Sequence, residues 1–466
     1  MKAIGRNVTA LSLLVVGIGA FVALTFGLVF LKLSPIVVGG LVVGAAVLAM
    51  SAYRPYLGVH VMLGLMYFEG ATFRLTEGVT FTKVMGGLIT VGWLLNTLTQ
   101  RRLRDVLNLQ AVFVSAYLAW CAFSAANALD TTVATGRLMT YVLLGLSMMM
   151  IGSVVDTPLK LRNILFATAC WTIVTALIAL AMYYTGATPV ATGLTGNRNL
   201  LATYINIGAI ATLLVYPLVG GVLSRLILML GVPPLLLALA LTLSRTGLIV
   251  MAVTILSVWY RLARERGFLV LLGSTLACVA LIFFLPGEFW SRASTILPSI
   301  ERQEDTFGMR VRLWQTGVRL VEDYPFLGTG PGNFPIGSTR YASGGIAGEH
   351  LNSHNAYVGT AAETGLPGLA LFLGILFSAM FGARRAAAAA RQVGRTDLAL
   401  LGVTVETMLL ALMLSGITGN AEGSKVLWIG LGMCVSFIGI VRRTLAFEVA
   451  GVALAADAGV PEPHAT

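Results

Sequence analysis

Charge is scarce in this chain. Of 466 residues, 11% are Asp, Glu, Lys or Arg and 57% are hydrophobic, and the mean hydropathy is +0.87. Soluble domains carry about a quarter charged residues, so a water-soluble protein is excluded and a polytopic membrane protein is expected. Cysteine is also rare. Cys121, Cys170, Cys278 and Cys434 all fall in apolar runs, which implies packing rather than a disulfide framework. There are four histidines, His60, His350, His354 and His464. His350 and His354 are four apart, but no third ligand accompanies them, so no metal site and no cofactor are expected. The formal charge of +11 does not indicate a nucleic-acid partner, because the basic residues collect in short segments between apolar runs.

What is present is a succession of apolar runs, from 8–30 to 425–440, each too long to leave its backbone unpaired in lipid. They define an all-α fold of about 12–14 transmembrane helices, with membrane lipid as its surroundings. The run at 8–30 has no small-residue cleavage site and reads as a retained first span. Basic residues cluster at Lys2, Arg6, Arg54, Arg101, Arg102, Arg104, Arg261, Arg264, Arg266, Arg384, Arg385, Arg442 and Arg443. The positive-inside rule then places both termini in the cytoplasm.

Four regions follow: N-terminal helices at 1–285, one long outer loop at 286–354, C-terminal helices at 355–443 and a disordered cytoplasmic tail at 444–466. The loop is the longest non-apolar segment. Within it 308–323 has helical apolar spacing through Met309, Leu313, Trp314, Val318 and Val321, which suits a short surface helix. Gly328, Gly330 and Gly332 then form a tight turn.

Chemistry-bearing residues converge on the outer face. Arg198 stands at the outer start of a span and Arg245 at an outer turn where hydropathy alone would place no charge, and an arginine at membrane depth needs an anionic partner or a cavity. With Arg310 they offer several guanidinium forks, suited to a pyrophosphate. His354 ends the loop and exchanges a proton near neutral pH. Asn197, Arg312, Trp314, Asn355, Tyr357 and Glu363 complete the expected substrate-binding set. Glu363 and Glu406 lie inside spans, where they are expected to hydrogen-bond a neighbouring helix or orient the arginines; a transporter would use them as proton relays.

The order Ser-Arg-Thr-Gly at Arg245, Arg310 before Trp314, the glycine turn, and His354-Asn355 followed by Glu363, Gly365 and Gly368 resembles the O-antigen ligase and polymerase superfamily. The resemblance implies inverting, metal-independent glycosyl transfer at the periplasmic face of the bacterial inner membrane. The implied donor is a glycan on undecaprenyl pyrophosphate, and the implied acceptor, in the ligase branch, is the lipid A core oligosaccharide. It makes His354 the general base and gives Arg245, Arg310 and Arg198 the pyrophosphate. The single loop without a further soluble domain favours ligase. A polymerase, which extends a lipid-linked glycan, and a lipid-linked oligosaccharide transporter are the alternatives.

Overall fold

A computed structural model describes residues 35–68, 74–76, 79–100, 108–266, 287, 306–341 and 351–457. The expected spans at 8–30 and 268–285, and with them Cys278, His350 and His464, lie outside the described residues. The chain divides into two compact units: residues 1–62 with 73–104, and residues 63–72 with 105–466.

In the first unit, α1 (Pro35–Tyr53) packs on α3 (Phe81–Thr99). Gly92 makes this contact possible: a Cβ there would stand 2.7 Å from the Leu48 carbonyl oxygen. Asn96 closes the pair by donating to the Ala52 carbonyl at 2.7 Å. Between them come α2 (Pro55–Met66), which runs on into the second unit, and a small antiparallel pair, β1 (Arg74–Thr76) with β2 (Val79–Thr80).

The second unit contains α4 (Leu109–Ala126), α5 (Thr131–Val154), α6 (Pro158–Tyr184), α7 (Arg198–Val215), α8 (Val222–Leu241) and α9 (Arg245–Arg266). The loop region contributes α10 (Thr306–Asp323) and α11 (Phe334–Ser338), after which come α12 (Ala356–Gln392), α13 (Thr396–Ser415) and α14 (Lys425–Asp457). Among the described residues eight helices are long and apolar enough to cross a membrane: α4 to α8 and α12 to α14. Three shorter apolar helices, Val42–Tyr53, Pro55–Met66 and Arg245–Tyr260, together with α3 occupy the remaining expected span positions that fall within the described residues. Apart from the short β1–β2 pair, the described residues show the helical polytopic architecture expected from composition.

Burial explains why these helices hold together. α6, α7, α8 and α9 share a core in which Ile173, Ala176, Leu201, Ile205, Leu235 and Met251 are buried. Small residues let backbones approach, the usual route to helix association where lipid is as apolar as the side chains. Gly208 faces Thr172, and Gly231 receives Ile173. α10 has a soluble amphipathic pattern instead. It buries Leu313 and Leu320 against Phe334 and Ala362, which fastens the loop region to the first turns of α12.

One boundary differs from expectation. Residues 444–457, expected as part of a disordered tail, continue α14 to Asp457. The segment is rich in Ala, Val and Leu and contains no proline, so helix propensity extends the preceding span past the last basic pair.

Candidate functional site

The first pair of arginines is set by two adjoining helix starts. Asn197 caps α7 by accepting from the amides of Asn199 and Leu200 at 2.9 and 3.2 Å, which leaves Arg198 as the first helical residue. Ahead of α9, Leu243 adopts a left-handed φ of 52°, and Ser244 receives the Gly247 amide at 3.2 Å. Arg245 is thus the first residue of α9. Ser244 Oγ then donates to Asn199 Oδ1 at 2.8 Å, and Asn206 donates to the Gly247 carbonyl at 3.0 Å. The two helix starts, and with them Arg198 and Arg245, stand side by side.

The end of α13 and the segment that follows it tie this pair to His354. Thr418 donates to Thr246 at 2.9 Å on one side. On the other, the Ala356 amide donates to the Gly416 carbonyl at 2.8 Å, and Tyr357 donates through its hydroxyl to the Met413 carbonyl at 2.8 Å. His354 itself has φ 48°, a left-handed conformation that costs free energy in a non-glycine residue. Ser353 Oγ, bonded to the carbonyl of Asn355 at 2.9 Å, and Asn355, capping α12 at 2.9 and 3.0 Å, hold it there. Among the described residues the imidazole makes no hydrogen bond.

Arg310 joins from α10, which packs along α12 with Gly317 against Val358. Arg198, Arg245, Arg310 and His354 are all half-buried. Burial lowers the Arg310 pKa, and the charges of Arg198 and Arg245 lower it further. Burial likewise lowers the His354 pKa below its ordinary value, with the Arg310 charge adding to the effect. The four groups therefore form one electrostatic unit: three guanidinium groups beside a histidine held neutral at pH 7. The amino-terminal ends of α7, α9 and α12 add partial positive charge to the same side. Such a unit can hold a polyanion and accept a proton next to it.

A glycine turn supports this arrangement from below. α12 kinks at Gly365, with φ 70° and ψ 178°, and Pro367 has no amide to offer the Glu363 carbonyl. The freed carbonyls find partners in the turn: Thr329 donates to Ala362 and Gly330 to Glu363, both at 2.9 Å, while Leu366 donates to the Pro325 carbonyl at 2.8 Å. Gly328 has φ 68°, and a Cβ there would stand 2.3 Å from the Glu363 carbonyl carbon. Gly330 has φ 99° and meets Ala128 as closely. The sequence-expected turn at Gly328, Gly330 and Gly332 is thus a docking seam between loop region and span.

The structure brings Arg198, Arg245, Arg310 and His354 within electrostatic reach of one another. Other members of the expected substrate set make hydrogen bonds within the protein. Asn197 and Asn355 are helix caps, and the Tyr357 hydroxyl belongs to Met413. The Glu363 carboxylate is buried, accepting from the amides of Gly332 at 2.7 Å and Phe334 at 3.2 Å. Trp314 shares the Arg310 face of α10 by its spacing, whereas Arg312, about 200° around the helix from Arg310, points elsewhere.

Sequence reasoning missed Arg137, Asn333 and Glu422. Asn333 bridges to the α4–α5 connection, accepting from the Asp130 amide at 2.9 Å and donating to its carbonyl at 3.1 Å. Arg137, on α5, interacts electrostatically with both Glu363 and Glu422. Its visible signal was a charge inside an apolar run.

A polytopic helical membrane protein with a basic cluster and a neutral histidine on one face is the class these observations define. Residues 226–373 are similar to the family model described as O-antigen ligase. No curated protein matches the chain. The matched segment contains Arg245, Arg310, His354 and Glu363, while Arg198 lies before it.

Proposed function

We propose that this protein is an O-antigen ligase, transferring a glycan from undecaprenyl pyrophosphate to the lipid A core oligosaccharide at the periplasmic face of the inner membrane. The observation that carries the reading is the coupling of His354 to Arg310, and of Arg310 to Arg198 and Arg245. In the reaction the acceptor hydroxyl gives its proton to His354 as its oxygen bonds to the anomeric carbon. The bond from that carbon to the pyrophosphate oxygen breaks with inversion, and undecaprenyl pyrophosphate leaves. Negative charge grows on the departing oxygen, where pre-placed guanidinium groups stabilise it most. A histidine of lowered pKa is already deprotonated at neutral pH and ready to act as the base.

The test is a reconstituted transfer with purified protein, undecaprenyl-pyrophosphate-linked glycan and lipid A core, comparing wild type with His354→Ala and Arg245→Ala. Glycan-bearing core from wild type, and a loss of two or more orders of magnitude in either variant, is the expected result. Lengthening of the lipid-linked glycan with the core untouched replaces ligase by polymerase, and full activity of both variants overturns the site.

A further inference from the structure

The end of the bundle remote from His354 holds a second feature, a groove of about 510 Å³ between the start of α4, the second half of α12 and α14. α12 sets its depth. At about 1.5 Å per residue, Ala356 and Arg385 are separated by roughly 40 Å of helix, more than the ~30 Å hydrocarbon thickness of a bilayer. The groove therefore opens at the membrane face opposite the arginine–histidine cluster.

Its wall is apolar and shaped by glycine. Gly374 lies against Phe113 and Gly382 against Ile438, each so close that a Cβ would stand 2.7 Å from the neighbouring side chain. Phe377 and Phe381 stack with centroids 5.9 Å apart and are 41% and 49% exposed. Gln110 is buried at its floor.

The rim is cationic. Arg385 from α12 and Arg442 from α14 border the groove, and both are exposed. Among the described residues neither arginine forms an ion pair. The acid near the end of α5 is committed elsewhere: Asp156 gives its carboxylate to Lys160 at 2.6 Å and its carbonyl to Arg443 at 3.1 Å.

We propose that this groove is a binding site for an anionic phospholipid, with Arg385 and Arg442 on the phosphate headgroup and an acyl chain along Phe113, Phe377 and Phe381. Two guanidinium groups from different helices at the mouth of an apolar slot match a headgroup and a chain in one ligand. A free phosphate would leave the aromatic wall uncovered, and a zwitterionic lipid brings its own cation to the rim.

The test uses the full-length protein in neutral detergent, stripped of lipid and titrated by native mass spectrometry. The probes are phosphatidylglycerol, phosphatidylcholine with the same chains, and inorganic phosphate. Wild type is expected to prefer phosphatidylglycerol by on the order of tenfold, to lose that preference in Arg385→Gln/Arg442→Gln, and to keep it in Arg384→Gln, whose side chain lies outside the groove. Equal affinity of wild type for the two lipids overturns the proposal without recourse to any variant. So does phosphate binding as strong as phosphatidylglycerol binding, or an equal loss in Arg384→Gln. None of these outcomes depends on glycan transfer.

Discussion

Glu363 accepts the backbone amide of Gly332 at 2.7 Å, so a carboxylate buried in a membrane-crossing helix holds the glycine turn of the loop region. The same residue offers its carbonyl to Gly330 at 2.9 Å. The turn leads from α10, which carries Arg310, into α11, and its hydrogen bonds to Ala362 and Glu363 dock it on α12, whose first residue, Ala356, lies two after His354. Glu363 is therefore a positioning residue for the Arg310–His354 pair.

Replacing Glu363 by Ala strands the buried amide of Phe334, at a cost of about 1–3 kcal/mol, and the half-buried amide of Gly332, which water can partly satisfy. Thermal unfolding in detergent should show a clear loss of stability, with transfer activity falling in parallel. Glu363→Gln keeps one acceptor oxygen and should recover most of the stability. Equal losses in the two variants would remove the hydrogen-bonding role.

The glycine seam makes a paired prediction. Gly328→Ala adds a Cβ at a positive φ and into the Glu363 backbone, and it should prevent accumulation of folded protein. Gly186 also has a positive φ of 74°, but nothing lies within 4 Å of its would-be Cβ. Gly186→Ala should cost only the conformational strain, about 1–2 kcal/mol, and leave activity intact. Yield and unfolding temperature of the two variants distinguish steric contact from backbone strain.

The lowered pKa of His354 fixes the direction of a pH profile. The acid limb of kcat/KM for transfer should lie below the ordinary histidine value of about 6.5. Removing the Arg310 charge by Arg310→Gln should slow transfer and move that limb to higher pH. A limb that stays in place would mean that His354 does not titrate under the influence of Arg310.

Glu422 gives a separate stability signature. Burial raises its pKa to about 8, the Glu363 charge adding to the rise and Arg137 opposing it. A carboxyl with a raised pKa in the fold binds more protons there than in the unfolded chain. Its contribution is full below the unfolded value and is lost as pH rises through about 8. Glu422→Gln should therefore flatten the fall of unfolding temperature between about pH 5 and 8, and an unchanged slope would remove the assignment.

The cluster was legible in part because of where charge is costly. Arg198 and Arg245 flank apolar stretches, where a charge needs a reason, while Arg310 lies in the polar loop on a segment of helical apolar spacing. His354 stood out by rarity. Asn197, Asn355 and Tyr357 were placed with the substrate because polar side chains at helix mouths look alike in a sequence, whether they cap an amide or meet a ligand. Only their hydrogen-bond partners separate the two. The partners of Glu363, the amides of Gly332 and Phe334, are backbone groups that carry no side-chain signature.

The sequence by itself determined the solvent this protein folds in and the form its backbone takes there, since long apolar runs in lipid must satisfy their own amides. It also determined the tight turn at Gly328, Gly330 and Gly332, whose backbone only residues lacking Cβ accommodate without strain. Tertiary structure alone decided which charges meet. The Ser244–Asn199 bond, the Thr246–Thr418 bond and the docking of α10 on α12 join residues far apart in the chain, and spacing along a helix does not encode distance between helices. It decided also that Glu363 turns toward the loop and that Arg137 and Glu422 lie beside it, because a buried charge is fixed by the partners packed around it.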